Sequence, residues 1–210
     1  MRTGLRPRKV PAGKARRLAP LPAFLALLAL LVLAGALLRL FGGAADRATA
    51  PVGGAFHLIS SNGGIATEKS FPGKYLLIYF GYTSCPDICP TALADIARAM
   101  DRLGPRAARV QSLFITVDPA RDTPTRLRKY IAQFSPAIIG LTGSAAEIGQ
   151  VEKEYHVSVS VPPRQNHTSS REIDHTAALY LMAPDGRFIT AFRPDENSAA
   201  IAAAIGKIIS

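Results

Sequence analysis

The sequence is poor in several residue types, and each shortage limits what the protein can be. Tryptophan is missing from all 210 residues, and only two cysteines are present, Cys85 and Cys89. Two thiols exclude a scaffold built on several disulfides. A single disulfide closing so short a loop would remove little chain entropy, so a purely structural bridge is poorly placed here. The pair is better suited to redox chemistry or to metal binding.

Acidic residues are absent from the first 45 positions, which contain eight Lys or Arg. Residues 46–210 contain 17 basic and 15 acidic residues, so their balance is only +2, although the whole chain carries +10. Because the basic excess is confined to one end of the chain, it does not predict a phosphate-binding face. We therefore expect no nucleic-acid partner.

Charge of either sign is missing from residues 18–38, which are mostly Leu, Ala and Val. This length matches the roughly 20 residues that a helix needs to cross a bilayer. The seven basic residues of positions 1–17 predict that this end stays in the cytoplasm while the rest of the chain crosses. A cleaved signal peptide is the alternative, although its apolar region would be shorter, at about 7–15 residues.

These features predict a single-pass protein with four parts. They are a basic cytoplasmic leader (1–17), a transmembrane anchor (18–38), a linker (39–54) and an exported domain (55–210). The short basic leader runs straight into the apolar segment, which favours a bacterial inner membrane with the domain in the periplasm.

The exported part alternates between strand and helix patterns. An apolar run at Tyr75–Gly81 predicts a strand buried on both faces, and Leu93, Ile96 and Met100 follow it at helical spacing. The other predicted strands cover 56–59, 65–67, 110–117, 138–141, 157–161, 177–182 and 188–192, and the other helices cover about 123–134, 144–154 and 197–209. This order predicts an α/β fold with a thioredoxin-like mixed sheet flanked by helices and an N-terminal β-hairpin.

The cysteine pair falls where the first central strand meets its helix, as in thioredoxins. Cys85 follows the strand and Cys89 lies near the helix start, where unpaired backbone N–H groups favour a thiolate. Three intervening residues are one more than in the usual redox motif. Two thiolates form a soft anionic site suited to Cu(I) or zinc, which would require a third ligand such as imidazole.

Four histidines are available for that role. His57 belongs to the predicted hairpin, His156 begins a predicted strand, and His167 lies in a polar loop. His175 precedes the strand at 177–182, and in a thioredoxin-like sheet the loop before that strand faces the cysteine loop. His175 is therefore the preferred candidate.

Three acidic residues could assist the site without binding an ion themselves. Asp174 could orient or polarise it, Asp87 could affect thiolate basicity or partner docking, and the strand-end Asp118 could approach it. The alternative for Asp87 is a solvated loop acid, and the rest of the stretch after Asp118, residues 119–124, is interpreted as a turn and helix cap.

Four motifs in this order resemble the Sco/SenC family: LLIYFGYTSCPDICPTAL, FITVDPARDTP, IIGLTGS and DHTAALYLMAPDGRF, within residues 55–195. Members are membrane-anchored copper proteins of the respiratory chain with a thioredoxin-like fold. The resemblance implies that Cys85, Cys89 and His175 bind copper as Cu(I), Cu(II) or both. It further implies a metallochaperone for the dinuclear copper centre in subunit II of cytochrome c oxidase, with a copper donor protein and a thiol reductant protein as further partners.

A thiol–disulfide oxidoreductase is the main alternative function. Cys85 would attack and Cys89 would resolve the mixed disulfide, on the cysteines of that subunit or of another partner. A reductase does not need His175, whereas a copper site does, so we expect a metallochaperone rather than an enzyme. A peroxiredoxin-like peroxidase would require an activating arginine near its attacking cysteine, and the sequence identifies none.

Overall fold

The computed structural model of the protein describes residues 25–34, 51–160, 173–193 and 195–209. The chain divides into two compact units, Met1–Ala50 and Pro51–Ser210. In the first unit, residues 25–34 form helix α1. The predicted leader and the rest of the predicted anchor lie outside the described residues, as does the linker up to residue 50. Across the described ranges, no helix combines the length and apolar character needed to span a bilayer.

The second unit alternates between strands and helices, as the sequence predicts. Its helices are α2 (Ile88–Leu103), α3 (Pro124–Ile131), α4 (Ala145–Glu154) and α5 (Ser198–Ile208). Its strands are β1 (His57–Ser60), β2 (Ile65–Thr67), β3 (Tyr75–Gly81), β4 (Val110–Thr116), β5 (Ile139–Thr142), β6 (Val159–Ser160), β7 (Asp174–His175), β8 (Leu179–Met182) and β9 (Phe188–Phe192).

Seven of the described strands form one mixed sheet in the order β2-β1-β5-β4-β3-β8-β9. Strands β3, β4 and β5 are parallel to one another, and β1, β2, β8 and β9 add antiparallel pairs on either side. The predicted mixed sheet and the hairpin β1–β2 are thus confirmed. Strand β3 lies inside the sheet and ends at the cysteine loop.

Alternate side chains of β3 point to opposite faces of the sheet, and each face is covered. On one face, Tyr79 contacts Phe114 with ring centroids 6.1 Å apart, and Phe114 contacts Tyr130 of α3 at 6.0 Å. On the other face, Phe80 packs against Tyr155, which directly follows α4, at 5.5 Å. Burial on both faces explains why the β3 sequence is a continuous apolar run rather than an alternating one.

Side chains at the N-termini fix where three helices begin. Thr123 caps α3 by accepting the Arg126 backbone N–H, and Pro124 occupies the first position, where its missing N–H costs nothing. Ser144 and Glu147 form a capping box on α4. The Asn197 side chain accepts the backbone N–H groups of Ala199 and Ala200 at the start of α5.

The segment that carries His175 differs from the prediction. The sequence predicts a strand at 157–161 and places His175 in a loop before a strand at 177–182, but His175 itself lies in β7. Among the described strands, β7 pairs with β6 alone, in a separate two-stranded sheet. His156 was predicted to begin a strand, but it ends the turn after α4 with a φ of 55°. Two-residue strands show no periodicity, so the pattern of the sequence could not reveal this sheet.

Helix α3 ends at Ile131, before the predicted end near Phe134. The Phe134 backbone N–H donates to the Ile131 carbonyl at 2.9 Å, which tightens the last turn. The next residues are Ser135 and Pro136, and a residue that precedes proline disfavours helical backbone angles.

Candidate metal centre

The two cysteines lie between the end of β3 and the first turn of α2, and both are free thiols. Cys85 is half-buried in the loop, whereas Cys89, the second residue of α2, is fully buried in the core. Gly81, the last residue of β3, makes this packing possible. A Cβ atom added at Gly81 would lie 2.9 Å from the Cys89 sulfur and 2.8 Å from a Phe114 ring carbon.

The first turn of α2 directs a backbone donor at Cys85. The Cys89 backbone N–H donates to the Cys85 sulfur at 3.4 Å. The next residue, Pro90, has no N–H, and the Thr91 N–H already donates to the Asp87 carbonyl at 3.3 Å. The sulfur therefore receives one of the N–H groups that a helix start leaves without an intrahelical partner.

The pKa values of the two thiols are shifted in opposite directions. A hydrogen bond from the Cys89 side chain, backbone N–H groups of Cys89 and Asp87 and the nearby His175 outweigh desolvation and lower the pKa of Cys85 to about 5. The same hydrogen bond, together with burial, raises the pKa of Cys89 well above its usual range. At neutral pH the reduced pair is therefore a thiolate at Cys85 hydrogen-bonded by a thiol at Cys89.

Strands β6 and β7 bring His175 to this pair. His175 pairs with Val159 across the small sheet, and the Thr176 N–H donates to the Ser158 carbonyl at 3.0 Å. The His175 Nε2 atom then lies 3.8 Å from the Cys89 sulfur. The edge of the His175 ring also meets the Tyr82 ring, with centroids 5.9 Å apart.

The other nitrogen of His175 sets the tautomer that a metal ligand needs. Nδ1 lies 3.2 Å from the Thr176 carbonyl oxygen, which can only accept a hydrogen bond. Protonation at Nδ1 leaves the lone pair of Nε2 directed at the Cys89 sulfur. The orienting group of the imidazole is thus a backbone carbonyl.

The spacing of these atoms fits a soft ion held between them. An ion held at about 2.3 Å from sulfur and about 2.0 Å from nitrogen, as zinc is, separates two ligands 120° apart by about 3.7 Å. The observed separation of Cys89 Sγ and His175 Nε2 is 3.8 Å. No set of three Cys, His, Asp or Glu side chains in the described ranges is already gathered into a metal site. Cys85, which is hydrogen-bonded to the Cys89 side chain, is the side chain that would complete a three-ligand set.

A cavity of about 330 Å³ opens beside the pair. Its lining includes Cys85, His175 and the apolar Ile88, with Asp87 and Asp174 as its acidic members. Both carboxylates are exposed, so they lie at the rim rather than against the buried sulfur. The half-buried Cys85 is the thiol that faces this opening.

The third acidic candidate, Asp118, lies elsewhere. It is buried just after β4, where its carboxylate pairs with Arg121. Its backbone N–H donates to the Thr116 hydroxyl at 2.9 Å, and its carbonyl accepts from the Asp122 N–H. These contacts place Asp118 in the turn that leads into α3, and it is not part of the lining of the 330 Å³ cavity.

The structure adds two residues that sequence reasoning did not assign to the site. The Tyr79 hydroxyl donates to the Cys89 sulfur at 3.8 Å, although the sequence suggests only a core residue. Asp122, expected to be part of a turn, is fully buried beneath the loop that leads to Cys85. Tyr79 lies two residues before Gly81 and therefore on the same face of the sheet, and this alternation was the available signal. Nothing in the sequence pattern indicates Asp122.

Two of the other histidines lie on the surface and belong to other elements. His57 is exposed and lies 3.9 Å from Glu147, and His156 is exposed after α4. His167 lies outside the described residues.

A thioredoxin-like sheet with a reduced Cys-x3-Cys pair at the strand–helix junction and a histidine against it defines a class of thiol-based metal or redox proteins. Residues 44–210 match the family model described as SCO1/SenC. The chain belongs to this family.

Two relatives illustrate the match. The chain is 42% identical over 159 residues to Protein sco1 of Schizosaccharomyces pombe, covering 74% of this chain and 60% of that protein. It is 41% identical to ScoI of Bradyrhizobium japonicum, solved with copper bound, with a TM-score of 0.68 and coverage of 74% of this chain and 98% of that chain. The chain covers 60% of the length of the S. pombe protein and 52% of the length of the human SCO1 homologue.

A more distant structure shares the fold. BsSco is 22% identical, with a TM-score of 0.60 and coverage of 77% of this chain and 92% of that chain. It is described as a member of the Sco family of cytochrome c oxidase assembly proteins with a disulfide switch. The thioredoxin-like fold expected from the sequence is confirmed.

Proposed function

We propose that this protein is a membrane-anchored copper metallochaperone that assists assembly of the dinuclear copper centre in subunit II of cytochrome c oxidase. Its ligands are Cys85, Cys89 and His175. Copper comes from a donor protein, and a thiol reductant protein keeps the cysteine pair reduced. Residues 18–38 anchor it in a bacterial inner membrane, with residues 1–17 in the cytoplasm and the domain in the periplasm.

The observation that carries this proposal is the approach of His175 to the cysteines. Nε2, freed to accept by the Nδ1 contact with the Thr176 carbonyl, lies 3.8 Å from the Cys89 sulfur. Thiolate and imidazole together form a soft donor set that suits Cu(I). Membership of the SCO1/SenC family and the copper bound by ScoI of B. japonicum support the same ion.

The chain's own residues also suit a metal that must be released. Cys85 is already a thiolate at neutral pH and lies at the cavity, so it can be approached by a partner's thiolate. Cys89 loses its proton when a metal binds, because metal ligands must be deprotonated. A site of three side chains open on one side can pass its ion on by ligand exchange, which a closed four-ligand cage hinders.

The proposal is tested by anaerobic Cu(I) titration of the reduced full-length protein in detergent, against a competing chelator. Wild type is expected to bind one tight equivalent. His175→Ala is expected to lose it, with His57→Ala as the matched control because that histidine is exposed and lies beside Glu147 of α4. Equal copper binding in wild type and His175→Ala would contradict the proposed ligand set.

A role in oxidase assembly requires a second readout. Cells carrying Cys85→Ser, Cys89→Ser or His175→Ala are expected to lose cytochrome oxidase activity when copper is limiting. Normal oxidase assembly in the His175→Ala strain at limiting copper would contradict the chaperone role.

The second candidate function is a thiol–disulfide oxidoreductase acting on the cysteines of that subunit or of another partner. The difference between the two sulfurs favours it: a half-buried, low-pKa Cys85 can attack, and a buried Cys89 can resolve. A His175→Ala strain that still assembles the oxidase, beside a Cys85→Ser strain that does not, would identify this activity as the essential one.

A further inference from the structure

A buried carboxylate organises the loop that leads to Cys85. Asp122 lies in the turn between β4 and α3, and none of its surface is exposed (0%). A buried charge is costly unless it is paired and hydrogen-bonded. Its contacts therefore show which parts of the fold it holds.

Asp122 receives hydrogen bonds from the ends of two neighbouring strands. Beyond β3, the Thr83 backbone N–H donates to the carboxylate at 2.9 Å, and the Thr83 hydroxyl donates to its other oxygen. At the end of β4, the Thr116 hydroxyl donates at 2.7 Å. Because β3 and β4 are parallel neighbours, one carboxylate joins both strand ends.

Arg126 extends this contact to the residue that precedes Cys85. From α3 its Nε atom lies 3.7 Å from the Asp122 carboxylate and donates to the Thr83 hydroxyl at 2.7 Å. Its Nη2 atom donates to the Ser84 hydroxyl at 3.0 Å. The Thr83 hydroxyl thus accepts from Arg126 and donates to Asp122, so its orientation is fixed.

The two cysteines depend on this network to different degrees. Cys89 is held by α2 and by the core, whereas Cys85 sits on the loop. The loop is closed on one side by the Cys85 N–H, which donates to the Tyr82 carbonyl at 3.2 Å. Thr83 lies within this turn and is held by Asp122. The Cys85 sulfur is thus positioned by the Cys89 N–H and, through the turn, by Asp122.

We propose that Asp122 is a positioning residue of the cysteine pair, acting through Thr83 to hold Cys85 at the distance that both copper binding and disulfide formation require. Arg126, which contacts the Thr83 and Ser84 hydroxyls, balances the buried charge of Asp122 and belongs to the same hydrogen-bond network. This inference deepens the proposed function and rests on it for copper. The disulfide part does not depend on copper.

The test uses the full-length protein and two readouts. The first is the equilibrium of the cysteine pair with glutathione, in which one glutathione disulfide oxidises Cys85 and Cys89 to a disulfide and is itself reduced to two thiols. The second is Cu(I) affinity by chelator competition. Asp122→Asn removes the charge and one acceptor, Thr83→Val removes the bridging hydroxyl, and Thr83→Ser retains it.

Asp122→Asn and Thr83→Val are expected to lower copper affinity by about 10–100-fold, the range found for groups that orient metal ligands. Both variants are also expected to shift the equilibrium constant of the cysteine pair with glutathione. Thr83→Ser is expected to match wild type in both readouts. Asn197→Ala, which removes the cap of α5, is the stability control and is expected to lower the melting temperature without changing either readout.

Wild-type values of both readouts in folded Thr83→Val would overturn the proposal, as would equal changes in Thr83→Val and Thr83→Ser. If Asp122→Asn does not fold, the Thr83 pair decides alone. A shifted glutathione equilibrium in Thr83→Val, in a protein whose wild type binds no copper, would support the positioning role and refute the proposed copper function.

Discussion

Replacing Gly81 by alanine is expected to displace the sulfur of Cys89. The new Cβ would lie 2.9 Å from that sulfur, 2.8 Å from a Phe114 ring carbon and 3.1 Å from a Tyr79 ring carbon. Ordinary contacts begin at 3.4 Å, so the sulfur must retreat by at least about 0.5 Å, which reaches the tolerance of a functional site. Since Cys89 and both rings are buried, each of them can move only by displacing the groups packed around it.

Two quantities are expected to change in Gly81→Ala. Overpacking a buried position typically costs about 1–3 kcal/mol, so urea unfolding should show a lower free energy of unfolding. Cu(I) affinity should fall as well, because the Cys89 sulfur is pushed away from its spacing of 3.8 Å to His175 Nε2. Chelator competition under anaerobic conditions measures this second effect.

Gly149→Ala is the matched control. Gly149 lies within α4, and an added Cβ there meets nothing within 4 Å. Its replacement is expected to raise stability by about 0.5–1 kcal/mol, the helix preference of alanine over glycine, and to leave copper affinity unchanged. If Gly81→Ala binds Cu(I) and unfolds as wild type does, the close approach at the end of β3 is not what fixes Cys89.

Two further predictions concern acidity and capping. Because the pKa of Cys85 is about 5, the rate of its alkylation by iodoacetamide should stay nearly constant from pH 9 to pH 6. The rate should fall only as the thiolate is protonated near pH 5. A steady fall from pH 9 to pH 6 would contradict this acidity. In Cys89→Ala the profile should move to higher pH, since the largest cause of the lowered pKa is removed. Asn197→Ala should cost about 1 kcal/mol in urea unfolding, because two backbone donors at the start of α5 lose their acceptor.

The sequence predicts most of the fold because burial leaves a clear pattern. The run at Tyr75–Gly81 is apolar throughout because both faces of β3 are covered, and Leu93 and Ile96 repeat at helical spacing because one side of α2 is buried. Thr123 and Ser144 show their capping roles through local spacing alone. Local rules of this kind need no knowledge of distant residues.

The parts that could not be predicted depend on distant residues. Asp122 is joined to Thr83 across 39 positions, and an aspartate beside a helix cap has no pattern that distinguishes a buried charge from a solvated one. The pairing of His175 with Val159 joins two short strands on either side of residues 161–172, so no periodicity indicates it. The expected approach of His175 to the cysteine loop is observed, and its role as a ligand stays a prediction.

The cysteines and His175 are positioned by strands that differ in how many neighbouring strands they are hydrogen-bonded to. Strand β3, which leads to the cysteines, is hydrogen-bonded on both sides, to β4 and β8, whereas within the described ranges β7 has only β6 as its neighbour. In hydrogen–deuterium exchange, the amides of β3 should therefore exchange only when the whole domain unfolds, and those of β7 through smaller local openings. The histidine side of the site should therefore open locally more often than the cysteine side.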